Sequence, residues 1–190
     1  MKSKVLALIL LCGAASLGAK VKLPALVGDN MILQQQTEVK LWGTAAPEAE
    51  VRVTPSWNGQ TMTCRADKDG GWTLAVETPA AGYTPYEITF DDGEKTTLKN
   101  ILIGEVWLAS GQSNMEMPLK GFAGCCIMNG ADDIIVSAEN KGVRMFTVPK
   151  HQTYELQTDC KGSWNISSIE TAPDFSATAY YFATSLSRAL

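Results

Sequence analysis

The chain has 190 residues, of which 45% are hydrophobic and 19% charged, and its formal net charge is −4. This composition is typical of a globular protein with a hydrophobic core and excludes a disordered chain. The 16 basic residues are outnumbered by 20 acidic ones and form no run, so the basic surface of a nucleic-acid-binding protein is also excluded.

The first 19 residues have the order of a secretory signal peptide. Two lysines precede an apolar run at residues 5–11, and small residues follow up to Ala19. The apolar run is too short to predict a membrane span, so no stable membrane insertion is expected. We expect cleavage after Ala19 and an exported protein, periplasmic or secreted. Acylation of Cys12, which would give a lipoprotein, is the alternative, and the bulky Leu11 before it makes that alternative weaker.

Four cysteines remain after the predicted signal peptide: Cys64, Cys125, Cys126 and Cys160. An exported compartment permits disulfides, and four cysteines allow three pairings, among which the sequence does not choose. The expected state is buried or partly paired cysteines. The spacing of the cysteines and the single histidine do not fit a zinc site, so no metal is predicted.

Residues 20–99 alternate between polar and apolar side chains with the period of half-buried strands. The alternation is clearest at residues 38–43, 49–53 and 71–76. Clusters of Gly, Asn and Asp separate these runs about every ten residues. This spacing predicts an antiparallel β-sandwich over residues 20–99.

The pattern changes at residue 100. Residues 101–109 form a nearly continuous apolar run, which is typical of a strand covered on both faces in a parallel sheet. A helix is expected near residues 131–139 and a second strand at 141–148. This order predicts the opening of an α/β domain over residues 100–190. Its sheet would be unfinished, so the chain is expected to be the front part of a longer protein.

A second helix is expected at residues 175–190. Pro173 and Asp174 precede it as a cap. One face of this helix is predicted to be apolar and to consist of Ala179, Phe182, Ala183 and Leu186.

The stretch that indicates a catalytic function is the loop that follows the apolar run, Gly-Gln-Ser-Asn-Met at residues 111–115. A serine in a glycine-containing turn at the carboxyl end of a parallel strand, here Ser113, lies where α/β sheets place catalytic groups. The amides of a helix that begins there would stabilise an oxyanion. Without further support this is a weak signal, because most such loops are only turns.

Residues 104–118, in which Gly-Gln-Ser-Asn-Met stands behind Gly-Glu-Val-Trp, resemble the nucleophile block of the sialate O-acetylesterase family, a branch of the SGNH-type hydrolases. Further stretches are similar to that family in the same order, at residues 23–34, 39–45, 69–72 and 174–182. The resemblance therefore covers nearly all of the chain after the signal peptide. It implies a β-sandwich followed by the first part of a three-layer SGNH-type α/β domain with a parallel sheet.

The resemblance also implies the chemistry of a serine esterase. Ser113 matches the nucleophile, which would form an acetyl-enzyme, and its N–H would be one oxyanion donor. Gln112 and Asn114 match flanking positions that either shape and line the site or only make turn hydrogen bonds. The Asp-x-x-His pair of the family and its other oxyanion donors, a Gly and an Asn, would lie beyond residue 190. His151 has no Asp two or three residues before it and is predicted to be a solvated loop residue.

The expected function is that of an exported esterase that removes O-acetyl groups from sialic acids and needs no cofactor. This chain alone is expected to be inactive. Two alternatives stay open: an esterase for other acetylated sugars, and a non-catalytic fragment that binds carbohydrate or serves as a scaffold. The sequence does not fix the oligomeric state. Four tryptophans are candidate platforms for a sugar, although a strand tryptophan more often belongs to the core: Trp42, Trp72, Trp107 and Trp164.

Overall fold

The computed structural model describes residues 20–125, 127 and 129–190. The predicted signal peptide at residues 1–19, Cys12 and Cys126 lie outside the described residues. Within these ranges the fold is mixed and rich in sheet, with nine strands and three α-helices. Across the same ranges, no helix is long and apolar enough to cross a membrane.

Residues 20–104, named here the β-rich half, contain seven of the strands. The alternating runs predicted at residues 38–43, 49–53 and 71–76 are confirmed as the second, third and fifth of them. In chain order the strands are β1 (Ile32–Gln34), β2 (Glu38–Thr44), β3 (Glu50–Pro55), β4 (Met62–Arg65), β5 (Gly71–Glu77), β6 (Gly82–Asp91) and β7 (Lys95–Gly104).

These strands form two sheets that share one core. A five-stranded sheet has the order β1-β7-β6-β3-β4, and β2 pairs with β5 in a separate antiparallel sheet. Leu41 and Val76 of the two-stranded sheet and Val53 and Phe90 of the five-stranded sheet belong to the same buried cluster. Alternation along each strand places these side chains inside because residues two apart share a face.

Strand β7 crosses the predicted domain boundary between residues 99 and 100, so that position lies within one strand. The strand pairs with β6 in antiparallel register from Lys95 to Ile103, with register shifts between Leu98 and Ile101 and between Ile101 and Ile103, and its last residues, Leu102–Gly104, also pair with β1 in parallel register. Asn100 lies at the first shift and has a left-handed backbone (φ 59°), which Asn tolerates better than most residues. Its Nδ2 donates to Oδ1 of Asn30 at 2.7 Å.

The strand predicted at residues 101–109 is therefore real only up to Gly104. Its parallel partner is β1 of the β-rich half. Among the described residues, no strand pairs with residues 105–109, and their backbone takes no regular structure. The apolar run thus completes the first sheet.

Residues 105–190, named here the second half, contain the helices. They are α1 (Ser113–Glu116), α2 (Gly130–Val136), which continues into a 3₁₀ turn at Ser137–Glu139, and α3 (Ala177–Ala189), which follows a 3₁₀ turn at Ala172–Asp174. The helices predicted near residues 131–139 and 175–190 are confirmed. The strand predicted at 141–148 is shorter, β8 (Arg144–Phe146), and it pairs antiparallel with β9 (Trp164–Ile166) instead of entering a parallel sheet.

The buried face of α3 differs in part from the predicted one. Ala177, Tyr180 and Thr184 are buried together with the expected Ala179, whereas Phe182 is 45% exposed. Tyr180 packs into a small second core with Leu119, Val143, Met145 and Ala172.

The cap of α3 also differs from the predicted one. It is Ser176, whose Oγ accepts the Ala179 N–H at 3.3 Å, while Pro173 and Asp174 form the 3₁₀ turn before it. A serine placed directly before the first helical residue satisfies a free N–H, which a residue two positions earlier cannot reach.

The cysteines that the structure describes are not paired. Cys64 and Cys160 are half-buried, and Cys125 is exposed. Burial raises the pKa of the Cys64 thiol, which keeps it protonated at neutral pH. The expectation of buried or partly paired cysteines is therefore correct only for the partial burial of Cys64 and Cys160.

Candidate active site

Ser113 is the first residue of α1, directly after a loop with exposed backbone. The carbonyl of Gln112 accepts the N–H groups of Met115 at 2.9 Å and Glu116 at 3.1 Å, which closes the single turn of α1. Ser113, Gln112 and Asn114 are all exposed. The structure therefore brings the three predicted site residues together on one exposed turn.

The segment before this turn is fixed to strand β1 by a carboxylate. Glu105 accepts hydrogen bonds from Nε2 of Gln35 at 2.7 Å and from Nε2 of Gln34 at 3.1 Å. These two hydrogen bonds hold the pKa of Glu105 below its usual value, and the bond from Gln35 has the larger effect. Oε1 of Gln34 also accepts the N–H of Val106 at 2.9 Å. The chain that leaves β7 toward Ser113 thus starts from a defined point.

The segment after the turn is fixed to the amino end of α3. The carbonyl of Asn114 accepts the hydroxyl of Thr178 at 3.0 Å, and the Ser176 hydroxyl contacts Sδ of Met115 at 3.3 Å. The N–H of Ala177 donates to the carbonyl of Met117 at 2.8 Å. Two stretches that the sequence analysis treated separately, residues 111–115 and 174–182, are therefore in direct contact.

Sequence reasoning missed Glu105, Gln34 and Gln35. The signal was present: three consecutive glutamines end the apolar segment at residues 31–33, and a lone carboxylate interrupts the apolar run at residue 105. Polar residues at these two positions indicate a contact only if β1 and β7 are known to be neighbours. That neighbour relation joins segments about 70 residues apart and leaves no local pattern.

His151 is exposed in a loop, as predicted. The preceding residue, Lys150, forms an ion pair with Glu116 of α1 at 2.7 Å, so the loop passes beside the turn that carries Ser113. Among the described residues, neither the imidazole nor the Ser113 hydroxyl has a hydrogen-bond partner. Within the described ranges, no general base is hydrogen-bonded to this hydroxyl.

The four tryptophans have different environments. Trp72 is buried, and Trp164 is half-buried and donates its indole N–H to the carbonyl of Leu26 at 2.9 Å. Trp107 is 62% exposed and packs edge-on against Phe182 with ring centroids 5.2 Å apart, so it does not belong to a core. Trp42 is half-buried on the outer side of β2.

No site for a metal ion is evident in the part of the chain that the structure describes. Groups of three or more His, Cys, Asp or Glu side chains in suitable proximity do not occur there.

The chain is similar to proteins that are named as acetylesterases. The chain is 27% identical over 175 residues to sialate O-acetylesterase of Rattus norvegicus, covering 84% of this chain and 31% of that protein. It is 29% identical over 161 residues to the human protein of the same name, covering 78% and 29%. A crystal structure of a carbohydrate acetylesterase from Xanthomonas citri superposes with a TM-score of 0.81 at 32% identity, covering 89% of this chain and 38% of that one.

No family model matches the chain. The chain spans about a third of the length of the curated relatives that it matches. The resemblance first seen in residues 104–118 is confirmed by these relatives, whose names agree on acetyl-ester hydrolysis.

Proposed function

This chain is a relative of the sialate O-acetylesterases, and on that basis we propose that it forms the part of a carbohydrate O-acetylesterase that carries the nucleophile, Ser113. The observation that supports the proposal most directly is the placement of Ser113 on an exposed turn held on both sides. Glu105 and the two glutamines fix the chain before it, and Thr178 and Ala177 fix the chain after it. A nucleophile requires a defined position of this kind because misplacement by about 1 Å can reduce the rate about a hundredfold.

In the proposed reaction Oγ of Ser113 attacks the carbonyl carbon of the acetyl ester. The C–O bond to the sugar breaks, the sugar oxygen leaves with a proton, and the acetyl group stays on Ser113. Water then attacks the acetyl-enzyme, which releases acetate and restores the hydroxyl. The N–H of Ser113 would donate to the oxyanion in both steps.

The proton of Ser113 must be accepted by a base. In the family that the chain resembles, this base belongs to an Asp-x-x-His pair, and no such pair occurs in the 190 residues. A positioned base contributes about a hundredfold to ten-thousandfold in rate. We therefore expect acetyl-ester turnover near background from this chain alone.

Gln112 and Asn114 have a different role from Ser113 in this proposal. The backbone carbonyls of both residues are used within the turn or toward α3. Their side chains are exposed next to Ser113 and would line the site. Their replacement should therefore alter the KM for the sugar more than the position of Ser113.

The sugar is proposed to be an O-acetylated sialic acid, by the names of the curated relatives. Other acetylated carbohydrates are the second candidate, which the Xanthomonas citri acetylesterase favours. Release of acetate from an O-acetylated sialic acid and from an acetylated plant oligosaccharide, compared by kcat/KM, distinguishes the two.

We further propose the finer architecture that the sequence predicts. The two sheets of the β-rich half would form a β-sandwich, and the second half would open an SGNH-type layered domain after Gly104. Residues 1–19 would direct export and be removed. Fractionation should find the protein outside the cytoplasm with an amino terminus at Lys20, and a protein that stays in the cytoplasm and starts at Met1 would contradict export.

The nucleophile is tested in a chimera in which residues 20–190 replace the matching part of the Xanthomonas citri acetylesterase. Ser113→Ala should lower acetate release by about a thousandfold or more, because the attacking oxygen is lost. Ser110→Ala, an exposed serine of the same loop, should change it less than about threefold. Circular dichroism of both variants should match the parent chimera. Activity retained in Ser113→Ala would contradict the proposal.

A further inference from the structure

A cleft of about 660 Å³ opens beside the paired strands β2 and β5, and none of its lining residues belongs to the Ser113 turn. Its size is within the range of small-molecule sites, roughly 300–1,000 Å³. Both halves of the chain contribute to its walls. The residues that matter here are Lys22, Trp42, Arg65, Asp67, Trp72 and Asp159.

Trp42 presents an aromatic surface to this cleft. The register of the two strands pairs Trp42 with the exposed Thr73, while the neighbouring pair Leu41 and Leu74 is buried. Trp42 therefore lies on the outer face of the sheet. Trp42 contacts the buried cluster and also lines the cleft. A tryptophan placed in this way offers a flat apolar surface beside polar groups.

Two carboxylates at the cleft are held in fixed positions. Oδ1 of Asp67 accepts the N–H groups of Asp69 at 2.9 Å and Gly71 at 2.7 Å. Oδ1 of Asp159 accepts the N–H groups of Ala25 at 2.9 Å and Cys160 at 2.7 Å. In each case no described residue donates to the second oxygen, Oδ2, so that this oxygen can accept from a ligand. Acceptors that are ordered before binding lose little entropy when a ligand hydroxyl arrives.

The cleft also offers cationic donors. Arg65 and Lys22 both line it and are exposed. Arg65 has a surface ion pair with Glu48 at 3.8 Å, which is too weak to hold the guanidinium in one place. Donors and acceptors of both charges therefore surround one aromatic surface.

The buried indole N–H of Trp72 is a separate indication of a ligand. Trp72 is 3% exposed and lines the cleft, and Nε1 has no hydrogen-bond partner among the described residues. Its ring lies against Gly43, where an added Cβ would be 2.9 Å from the indole carbon Cζ2. Buried tryptophan N–H groups usually have an acceptor, so an unpaired one on a residue that lines the cleft favours a polar ligand at this place.

We propose that this cleft binds one pyranose ring of an oligosaccharide, as a non-catalytic site separate from Ser113. The C–H face of the ring would stack on Trp42, and ring hydroxyls would donate to Asp67 and Asp159. Arg65 and Lys22 donate to sugar oxygens at the rim. A ring with one apolar face and a hydroxylated edge matches this lining, whereas an apolar peptide would offer no donor to the second oxygen of either carboxylate.

Binding of two probes by the 190-residue chain tests the site. Xylohexaose represents a neutral polysaccharide and 3′-sialyllactose an anionic one, and each is titrated by calorimetry and by ¹H–¹⁵N NMR. We expect one of them to bind and to shift the indole signal of Trp42 and the amide of Thr73. Which probe binds identifies the source of the ring. Neither probe carries an acetyl ester, so binding is measured independently of the proposed hydrolysis, and Ser113→Ala should leave it unchanged.

Trp42→Ala should weaken binding about tenfold or more, which corresponds to about 1.4 kcal/mol. Trp57→Ala is the matched control, because Trp57 is also half-buried but donates to the carbonyl of Glu77 outside the cleft. Arg65→Ala changes an exposed side chain without a role in the core and should weaken binding several-fold even if Trp42→Ala disturbs the fold. Failure of both probes to bind, or equal losses in Trp42→Ala and Trp57→Ala, would overturn the proposal.

Discussion

The β-rich half and the second half are held together by different means. The β-rich half has a continuous core in which Met31, Val53 and Phe90 are completely buried. The buried residues of the second half form a much smaller core around Leu119 and Tyr180. Large exposed apolar side chains are concentrated in the second half, for example at Trp107, Leu108, Ile135 and Leu156.

Because of this difference, the half that stabilises the fold is not the half that carries the candidate catalytic serine. Apolar burial stabilises folding roughly in proportion to the area removed from water, so the β-rich half carries most of the stability. The Ser113 turn is held by a few polar contacts, such as those of Glu105 and Thr178. Regions with few buried contacts open locally at low free energy. The candidate site therefore depends on a stable neighbour for its position.

The largest effect should come from the core of the β-rich half. Phe90→Ala removes a fully buried ring that packs on Trp72 and should lower the free energy of unfolding by about 3–5 kcal/mol. Glu87→Ala, an exposed position on the same strand, should change it by less than about 0.5 kcal/mol. Urea unfolding followed by tryptophan fluorescence measures both.

Leu119→Ala is the equivalent test in the second half. Leu119 is fully buried in the small core, and its truncation should cost about 2–5 kcal/mol there. Amide hydrogen exchange should then increase in α3 and leave β3, β5 and β6 protected. If exchange increased equally in both halves, they would form one cooperative unit and the comparison would be wrong.

Limited proteolysis compares the halves without a mutation. The first cuts should fall in residues 105–111 and 147–163, where the backbone is exposed and irregular, and not in residues 32–104. Mass spectrometry of the early fragments identifies the sites. A first cut within β3 or β6 would contradict the assignment of stability to the β-rich half.

The next effect concerns the left-handed residue in β7. Asn100→Val should destabilise by about 1–2 kcal/mol, because a β-branched side chain tolerates a positive φ poorly. The bonds to Asn30 and from Arg144 Nη2 are lost as well. Asn100→Gly also loses these bonds but accepts the backbone, so the difference between the two variants isolates the conformational cost. Equal unfolding midpoints would show that φ at this position does not matter.

Asn100 also marks the position after which the sheet could not be predicted from the sequence. Strands β2, β3 and β5 were predictable because one face is buried and the alternation records it. In β7 the apolar run at residues 101–109 indicated a new parallel sheet, but the shift at Asn100 and the distant partner β1 direct residues 101–104 into the first sheet. A partner about 70 residues away leaves no trace in local pattern.

The candidate site was predictable in a similar, partial way. Ser113 and its two neighbours could be predicted as candidates because they are consecutive in the sequence, so no tertiary contact is needed to bring them together. The contacts of Glu105 and Thr178 depend on the tertiary arrangement and were not found. Helical spacing predicted that Phe182 is buried, yet it packs against Trp107 at the surface. Spacing shows which residues share one face of a helix, but it does not show what that face packs against.

The cap of α3 should have an effect of about 1 kcal/mol. Ser176→Ala removes the acceptor of the Ala179 N–H and the contact with Met115, and caps of this kind contribute about 0.5–2 kcal/mol. Ser185→Ala, at an exposed position within the same helix, is the control and should be nearly neutral. Thermal unfolding and exchange at Ala179 measure the difference. No faster exchange at Ala179 would contradict the assigned cap.

The smallest effect is the pH dependence of the segment before Ser113. The pKa of Glu105 is lowered in the folded state, so its contribution is present above the ordinary glutamate pKa of about 4.3 and is lost as the pH falls through the lowered value. The indole signal of Trp107 in ¹H–¹⁵N NMR should therefore shift in acid. Glu105→Gln should shift this signal at neutral pH and remove its acid titration. An unchanged titration in Glu105→Gln would assign the effect to another group.

The parallel pairing of β1 with β7 has a consequence for the order of folding. Strands β6 and β7 are joined by a short turn and can pair early, because closing a small loop costs little chain entropy. The β1–β7 pairing closes a loop of about 70 residues and must wait until the intervening strands are in place. Glu105 meets Gln34 and Gln35 only after this closure. The turn that carries Ser113 is therefore positioned late in folding, so a slow step in the β-rich half would delay the appearance of the site.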